Sequence, residues 1–137
     1  MSLISLAFAY SIDSLVFLAT VFGVGCAWIY SIEPIRLKKS AVFGPGIVAI
    51  CYEGLPWFTG AVIFSVAFPS NYVLAVLMLY ALGAHGIMTL NDFKAKKGDS
   101  ISGVRSLPVI LGEDAAAKIA CCVMFIPQLI ITGLFFH

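Results

Sequence analysis

Charge is what this chain lacks most. Asp, Glu, Lys and Arg make up only 11% of its 137 residues, against about 25% in an ordinary soluble domain. With 61% hydrophobic residues and a mean hydropathy of +1.05, that scarcity excludes a soluble domain of this size and predicts an integral membrane protein. The net charge is +1, and no basic patch with interleaved aromatics occurs, which excludes nucleic acid as a partner. Paired cysteines are missing too. Cys26, Cys51, Cys121 and Cys122 all fall in apolar runs without CxxC spacing, and neighbours such as Cys121 and Cys122 point about 100° apart on a helix. They read as small buried residues. The N-terminus has no basic stretch, and its first apolar run is long enough to span, so no cleaved signal peptide is expected. No internal repeat or low-complexity linker is present.

What remains is a series of long apolar runs. A spanning helix needs about 20 apolar residues. The first run, Leu3–Tyr30, is interrupted only by Asp13. It reads either as one span or as the end of one helix, a turn near Ser11–Ser14, and a second helix from Leu15. The others run from about Phe43 to Phe68, from Tyr72 to Leu90, and from Ala115 to Phe136. Polar loops are expected at Ser31–Ser40 and Asn91–Asp114, and a tight, chargeless hairpin at Pro69-Ser70-Asn71. The expected architecture is an all-α, polytopic transmembrane helical bundle of about four to five spans. Gly54 and Pro56 should bend or unwind the second span, and Pro127 should kink the last. The chain ends directly after an apolar run without a polar tail, as a truncated chain would.

The few charges are unevenly placed. Lys and Arg occur eight times, and seven fall in two segments, Arg36/Lys38/Lys39 and Lys94/Lys96/Lys97/Arg105. Two apolar runs separate the segments, so both lie on one side of the membrane, and the positive-inside rule makes that side cytoplasmic. The second segment also carries Asn91, Asp92 and Asp99. If the third helix continues past Leu90, Asp92 and Asp99 stand seven residues apart and project from one face. Two carboxylates there can hold Mg²⁺, which takes its remaining ligands from substrate phosphate and water. A solvated, charge-balanced loop accounts for the same string. Arg36 and Lys38 can grip phosphate oxygens, Arg as a fork and Lys as a point charge, with Tyr30 donating from the interface; ordinary membrane anchoring accounts for them as well. Basic loops beside metal-capable side chains at a membrane surface suggest a site for a magnesium-bound diphosphate with an apolar tail. Glu53 lies inside the second span, where a lone carboxylate is costly and marks a functional site unless it stabilises the bend. His85, flanked by small residues, suits either an interhelical hydrogen bond or a substrate contact. Arg105 is a further candidate phosphate ligand.

Four strings go beyond such patterns: YSIEPIRLK at Tyr30–Lys38, CYEGLPWFTG at Cys51–Gly60, GAHGIMTLNDFKAKKGD at Gly83–Asp99 and GVRSLP at Gly103–Pro108. In this order they resemble the UbiA-type membrane prenyltransferases, and within that family its pigment-esterifying branch. The resemblance covers nearly the whole chain. It implies that residues 1–137 are a partial prenyltransferase domain, the middle to later helices of a roughly nine-helix fold. The implied activity joins a geranylgeranyl or phytyl diphosphate to the propionate of (bacterio)chlorophyllide and releases pyrophosphate, with Mg²⁺ as cofactor. Acceptors of another kind, chlorophyllide alone or a quinone precursor, are the nearest alternatives; a non-catalytic half-module or pigment-binding fragment is another. By the resemblance, Asn91, Asp92 and Asp99 match the second acidic motif and are expected to bind the magnesium diphosphate, with Asp92 and Asp99 the catalytic carboxylates. Tyr30, Arg36 and Lys38 match the tyrosine-to-lysine segment and would hold the diphosphate, and Arg105 matches a basic position that follows. Glu53, Trp57 and His85 lie in strings that set the pigment synthases apart and are placed near the acceptor. The implied setting is a bacterial cytoplasmic or photosynthetic membrane, the site facing the cytoplasm, with proteins of pigment synthesis or photosystem assembly as candidate partners. The family's first acidic motif, of Asn-Asp-x-x-Asp type, is absent from the chain; Lys97 stands where the family usually has Glu, and Ser100 where it commonly has a basic residue.

Overall fold

The computed structural model describes residues 2–136. Its helices, in chain order, are α1 (Ser2–Ile12), α2 (Ser14–Ser31), α3 (Phe43–Ala49), α4 (Leu55–Ser65), α5 (Asn71–Ser102), α6 (Leu107–Leu111) and α7 (Glu113–Phe135). A 3-10 turn covers Leu37–Lys39, and a wide π-helical stretch, Ile50–Gly54, joins α3 to α4. Among the described residues the fold is all-α. Among those residues four helices are long and apolar enough to cross a membrane: Ser14–Ser31, Phe43–Ser65, Asn71–Ser102 and Glu113–Phe135. Large apolar side chains stand on the outer surface, Phe64 being 93% exposed, as expected where lipid is the solvent.

Local chemistry explains the breaks. Asp13 splits the first apolar run because its carboxylate accepts the Leu15 N–H at 2.6 Å and caps α2. The two-helix reading of Leu3–Tyr30 is therefore the correct one, and Asp13 has a structural job. The π-helical stretch lies just before Pro56, which has no N–H to close a normal turn, so the expected disturbance near Gly54–Pro56 takes the form of a widened turn. Pro127 lies inside α7 and is buried.

One boundary differs from expectation. Asn91–Ser102 is not a loop but the last three turns of α5. Charge alone does not end a helix: Lys and Ala are good helix formers, and nothing stops the chain until Gly103, whose left-handed backbone (φ 72°) caps the end. At 32 residues, α5 is about 48 Å long, so its polar end projects beyond a hydrocarbon core of about 30 Å. This places the acidic residues on a rigid helix at the membrane boundary.

The same helix is the centre of the packing. It meets α7 at close range: a Cβ on Gly86 would lie 2.7 Å from the Ala120 carbonyl oxygen, and Ala116 and Ala120 are fully buried beneath it. Small residues facing one another allow this approach, as usual between membrane helices. A separate apolar cluster of Ala9, Val16 and Val62 holds α1, α2 and α4 together.

Candidate functional site

The polar end of α5 opens onto a cavity of about 530 Å³. Met88, Asn91, Asp92, Ala95, Asp99 and Ser102 line it from α5, a spacing of three and four residues that defines one helix face. Tyr30 lines it from the end of α2, Arg36, Lys38, Lys39 and Ser40 from the following loop, Gly44, Pro45 and Val48 from α3, and Val104 and Ser106 from beyond α5. The two polar segments, about 60 residues apart in sequence, thus share one wall-to-wall site. They are also joined directly: Ser40 and Arg105 form an isolated parallel bridge, in which the Arg105 N–H donates to the Lys39 carbonyl at 3.0 Å.

The loop from α2 is a strapped turn. Glu33 Oε1 accepts hydrogen bonds from Arg36 Nη1 at 2.6 Å and Lys39 Nζ at 3.2 Å. These bonds, Arg36 first and Lys39 second, hold the exposed Glu33 carboxyl below its ordinary range. Arg36 sits in the left-handed region (φ 36°, ψ 63°), a conformation that costs an L-residue about 1–3 kcal/mol and persists only where the surroundings impose it. Here the Arg36 N–H is bound to the Ile32 carbonyl at 2.8 Å, and the Arg36 carbonyl accepts from the Lys39 N–H at 3.0 Å. Lys38 has no ion-pair partner among the described residues and faces the cavity. Its positive charge is therefore available to a ligand.

The donor set fits a magnesium diphosphate. Among the described residues no three His, Cys, Asp or Glu side chains form a metal cluster. Mg²⁺ needs only one or two carboxylates when substrate oxygens and water complete its shell. Asp92 and Asp99, together with Asn91, line one cavity. Two turns of helix separate them, about 10 Å of rise, so they flank a ligand rather than pinch one point.

The remaining candidates lie elsewhere. Arg105 lines a neighbouring recess with Arg36, Lys39 and Ile110 and is not among the residues lining the carboxylate cavity; its backbone carries the link to the loop. Glu53 borders a separate cavity of about 250 Å³ with Tyr80, Gly83, Ala84, Ile87, Met124 and Gln128. Trp57 stacks on Tyr80 with ring centroids 5.2 Å apart. His85 is tied to the Val42 carbonyl through Nε2 at 3.1 Å. Glu53 and Trp57 therefore share Tyr80 as a neighbour. Lys97 and Ser100 are exposed and line no part of the carboxylate cavity. Lys97 is thus off the acidic face. Ser106 was not among the sequence candidates. It precedes Leu107-Pro108 as a helix cap would, yet its hydroxyl makes no cap bond, a fact visible only in three dimensions.

A helical bundle with spans long and apolar enough to cross a membrane carries a basic strap and two carboxylates around one cavity at the polar end of α5. The chain belongs to the UbiA prenyltransferase family, whose model matches residues 1–137. It is 58% identical over 98% of its length to the bacteriochlorophyll synthase 33 kDa chain of Cereibacter sphaeroides, covering 44% of that protein. Identity to the Rhodobacter capsulatus 33 kDa chain is 52%, over 98% of this chain and 46% of the relative. The chloroplastic chlorophyll synthase of Oryza sativa is 35% identical over 89% of this chain and 32% of its own. The chain thus spans a little under half the length of the bacterial relatives. No solved structure matches it significantly.

Proposed function

We propose that this chain carries the diphosphate site of a prenyltransferase that esterifies the propionate of bacteriochlorophyllide with a geranylgeranyl or phytyl group. The observation that carries the reading is the convergence of the Tyr30–Ser40 and Asn91–Ser106 segments on one cavity. The higher identity to bacteriochlorophyll synthases than to chlorophyll synthases favours the bacterial pigment as acceptor. Basic residues on both segments favour a cytoplasmic mouth.

In the proposed reaction the allylic C–O bond breaks and its electron pair leaves on the diphosphate. A propionate oxygen then bonds to the allylic carbon, giving the ester and free pyrophosphate. The nucleophile is already a carboxylate, so no base is required. Asn91, Asp92 and Asp99 would hold magnesium. That ion, when bound, offsets charge developing on the leaving group. Arg36 and Lys38 neutralise the same charge from the strap, with Tyr30 at its edge. Met88, Pro45 and Val48 form the apolar wall that keeps water from the allylic cation. Glu53 and Trp57 are assigned to the acceptor side, together with the face of His85 not engaged by Val42.

Replacing Asp99 by alanine tests the reading. Esterification of bacteriochlorophyllide by geranylgeranyl diphosphate in membranes is expected to be lost, and retained activity would count against the metal role. A preference for chlorophyllide over bacteriochlorophyllide would overturn the narrower acceptor assignment.

A further inference from the structure

Two buried side-chain polar atoms on residues that line the cavity, Arg36 Nε and Ser106 Oγ, have no hydrogen-bond partner among the described residues. Buried polar atoms are nearly always paired, so an unpaired one in a binding cavity points to a ligand atom. Ser106 is only 3% exposed and occupies a capping position whose capping bond it does not make. Arg36 is more telling still. Its Nη1 is taken by Glu33 at 2.6 Å. In a guanidinium the Nε–H and Nη2–H point the same way and form a fork suited to two oxygens of one phosphoryl group. Engaging Nη1 leaves that fork free. The strap and the segment carrying Ser106 are held together by the Arg105 N–H bond to the Lys39 carbonyl at 3.0 Å.

We propose that Arg36 Nε and Ser106 Oγ donate to one phosphoryl group of the bound diphosphate, and that Glu33 is the positioning residue that keeps the guanidinium fork turned to it. The proposal rests on the diphosphate reading above. It gives the strap and the carboxylates separate tasks: α5 holds the metal side of the ligand, and the strap with Ser106 holds an oxyanion. Glu33 touches no ligand and lines neither cavity at this end of the molecule, so it acts only through Arg36 and Lys39.

The test is binding of magnesium pyrophosphate to the chain in lipid nanodiscs, by calorimetry, with thermal unfolding measured alongside. Ser106→Ala is expected to weaken binding about 10-fold with an unchanged or higher Tm, because it removes an unsatisfied buried hydroxyl. Glu33→Gln is expected to weaken binding about 5-fold, and Arg36→Lys, which lacks the fork, about 10-fold. In the Arg36→Lys background the Glu33→Gln effect should shrink to less than about twofold. Unchanged affinity in Ser106→Ala or Glu33→Gln overturns the proposal, as does tighter binding in Glu33→Gln, which would make Glu33 a competitor for Arg36. An Ser106→Ala chain with lower Tm and unaltered affinity makes the serine structural and also overturns it. Asp99→Asn separates the two readings. If it abolishes binding while Ser106→Ala and Glu33→Gln do not, only this proposal fails. If the unsubstituted chain does not bind the probe, the diphosphate reading fails and takes this one with it.

Discussion

Replacing Gly86 by alanine puts a methyl group where α5 and α7 already touch. The new Cβ would stand 2.5 Å from Met124 Cγ and 2.7 Å from the Ala120 carbonyl oxygen. The methionine side chain can rotate away, but the carbonyl belongs to the backbone of a buried helix turn and cannot. Overpacking of this kind costs about 1–3 kcal/mol, and the better helix propensity of alanine returns about 1 kcal/mol. Gly98 is the internal control. It lies on the same helix with nothing within 4 Å of its would-be Cβ, so Gly98→Ala has the propensity gain without the clash. The two variants should differ by about 2 kcal/mol, with Gly86→Ala melting about 3–5 °C below the parent and Gly98→Ala about 3–5 °C above it. Thermal unfolding of detergent-solubilised protein followed by circular dichroism is the assay. Gly86→Ala as stable as Gly98→Ala would refute the close α5–α7 contact, and with it the rigid mounting of Asp92 and Asp99.

Other consequences are simpler. Asp13→Ala removes the cap on α2 and should cost about 1 kcal/mol in the same melting assay. Lys97→Glu reverses a charge at a position off the cavity, so magnesium pyrophosphate affinity should change less than about twofold; a large gain would place Lys97 at the ligand. Glu113→Gln breaks an exposed ion pair with Lys96, and the melting temperature should barely move.

The legible part of this molecule is the part governed by local composition. Apolar run length set the spans, and the paired basic segments indicated that both polar ends lie together. Asp13 was open to two readings because a capping carboxylate and a solvated one look alike until the backbone N–H it binds is known. The length of α5 was hidden by the mixed charges of Asn91–Ser102, three Lys and two Asp, which suit a loop as well as a helix beyond the membrane. Arg105 was a candidate by residue type alone, and the bond of its backbone N–H to the Lys39 carbonyl, which joins the two segments, was not legible from its side chain. Ser106 and Glu33 were out of reach for a related reason. A missing acceptor and a shared counter-ion are tertiary facts, set by what surrounds a side chain rather than by the side chain itself.

Crosslinking the two segments tests their meeting most directly. Ser40 and Arg105 are bridge partners, and backbones that close lie within disulfide reach. In membranes, a chain carrying Ser40→Cys and Arg105→Cys should form an intramolecular disulfide under mild oxidation, seen by mass spectrometry of the linked peptides, while either single substitution should not. Failure of the pair to link, with each cysteine labelled from opposite sides of the membrane, would contradict the shared cavity.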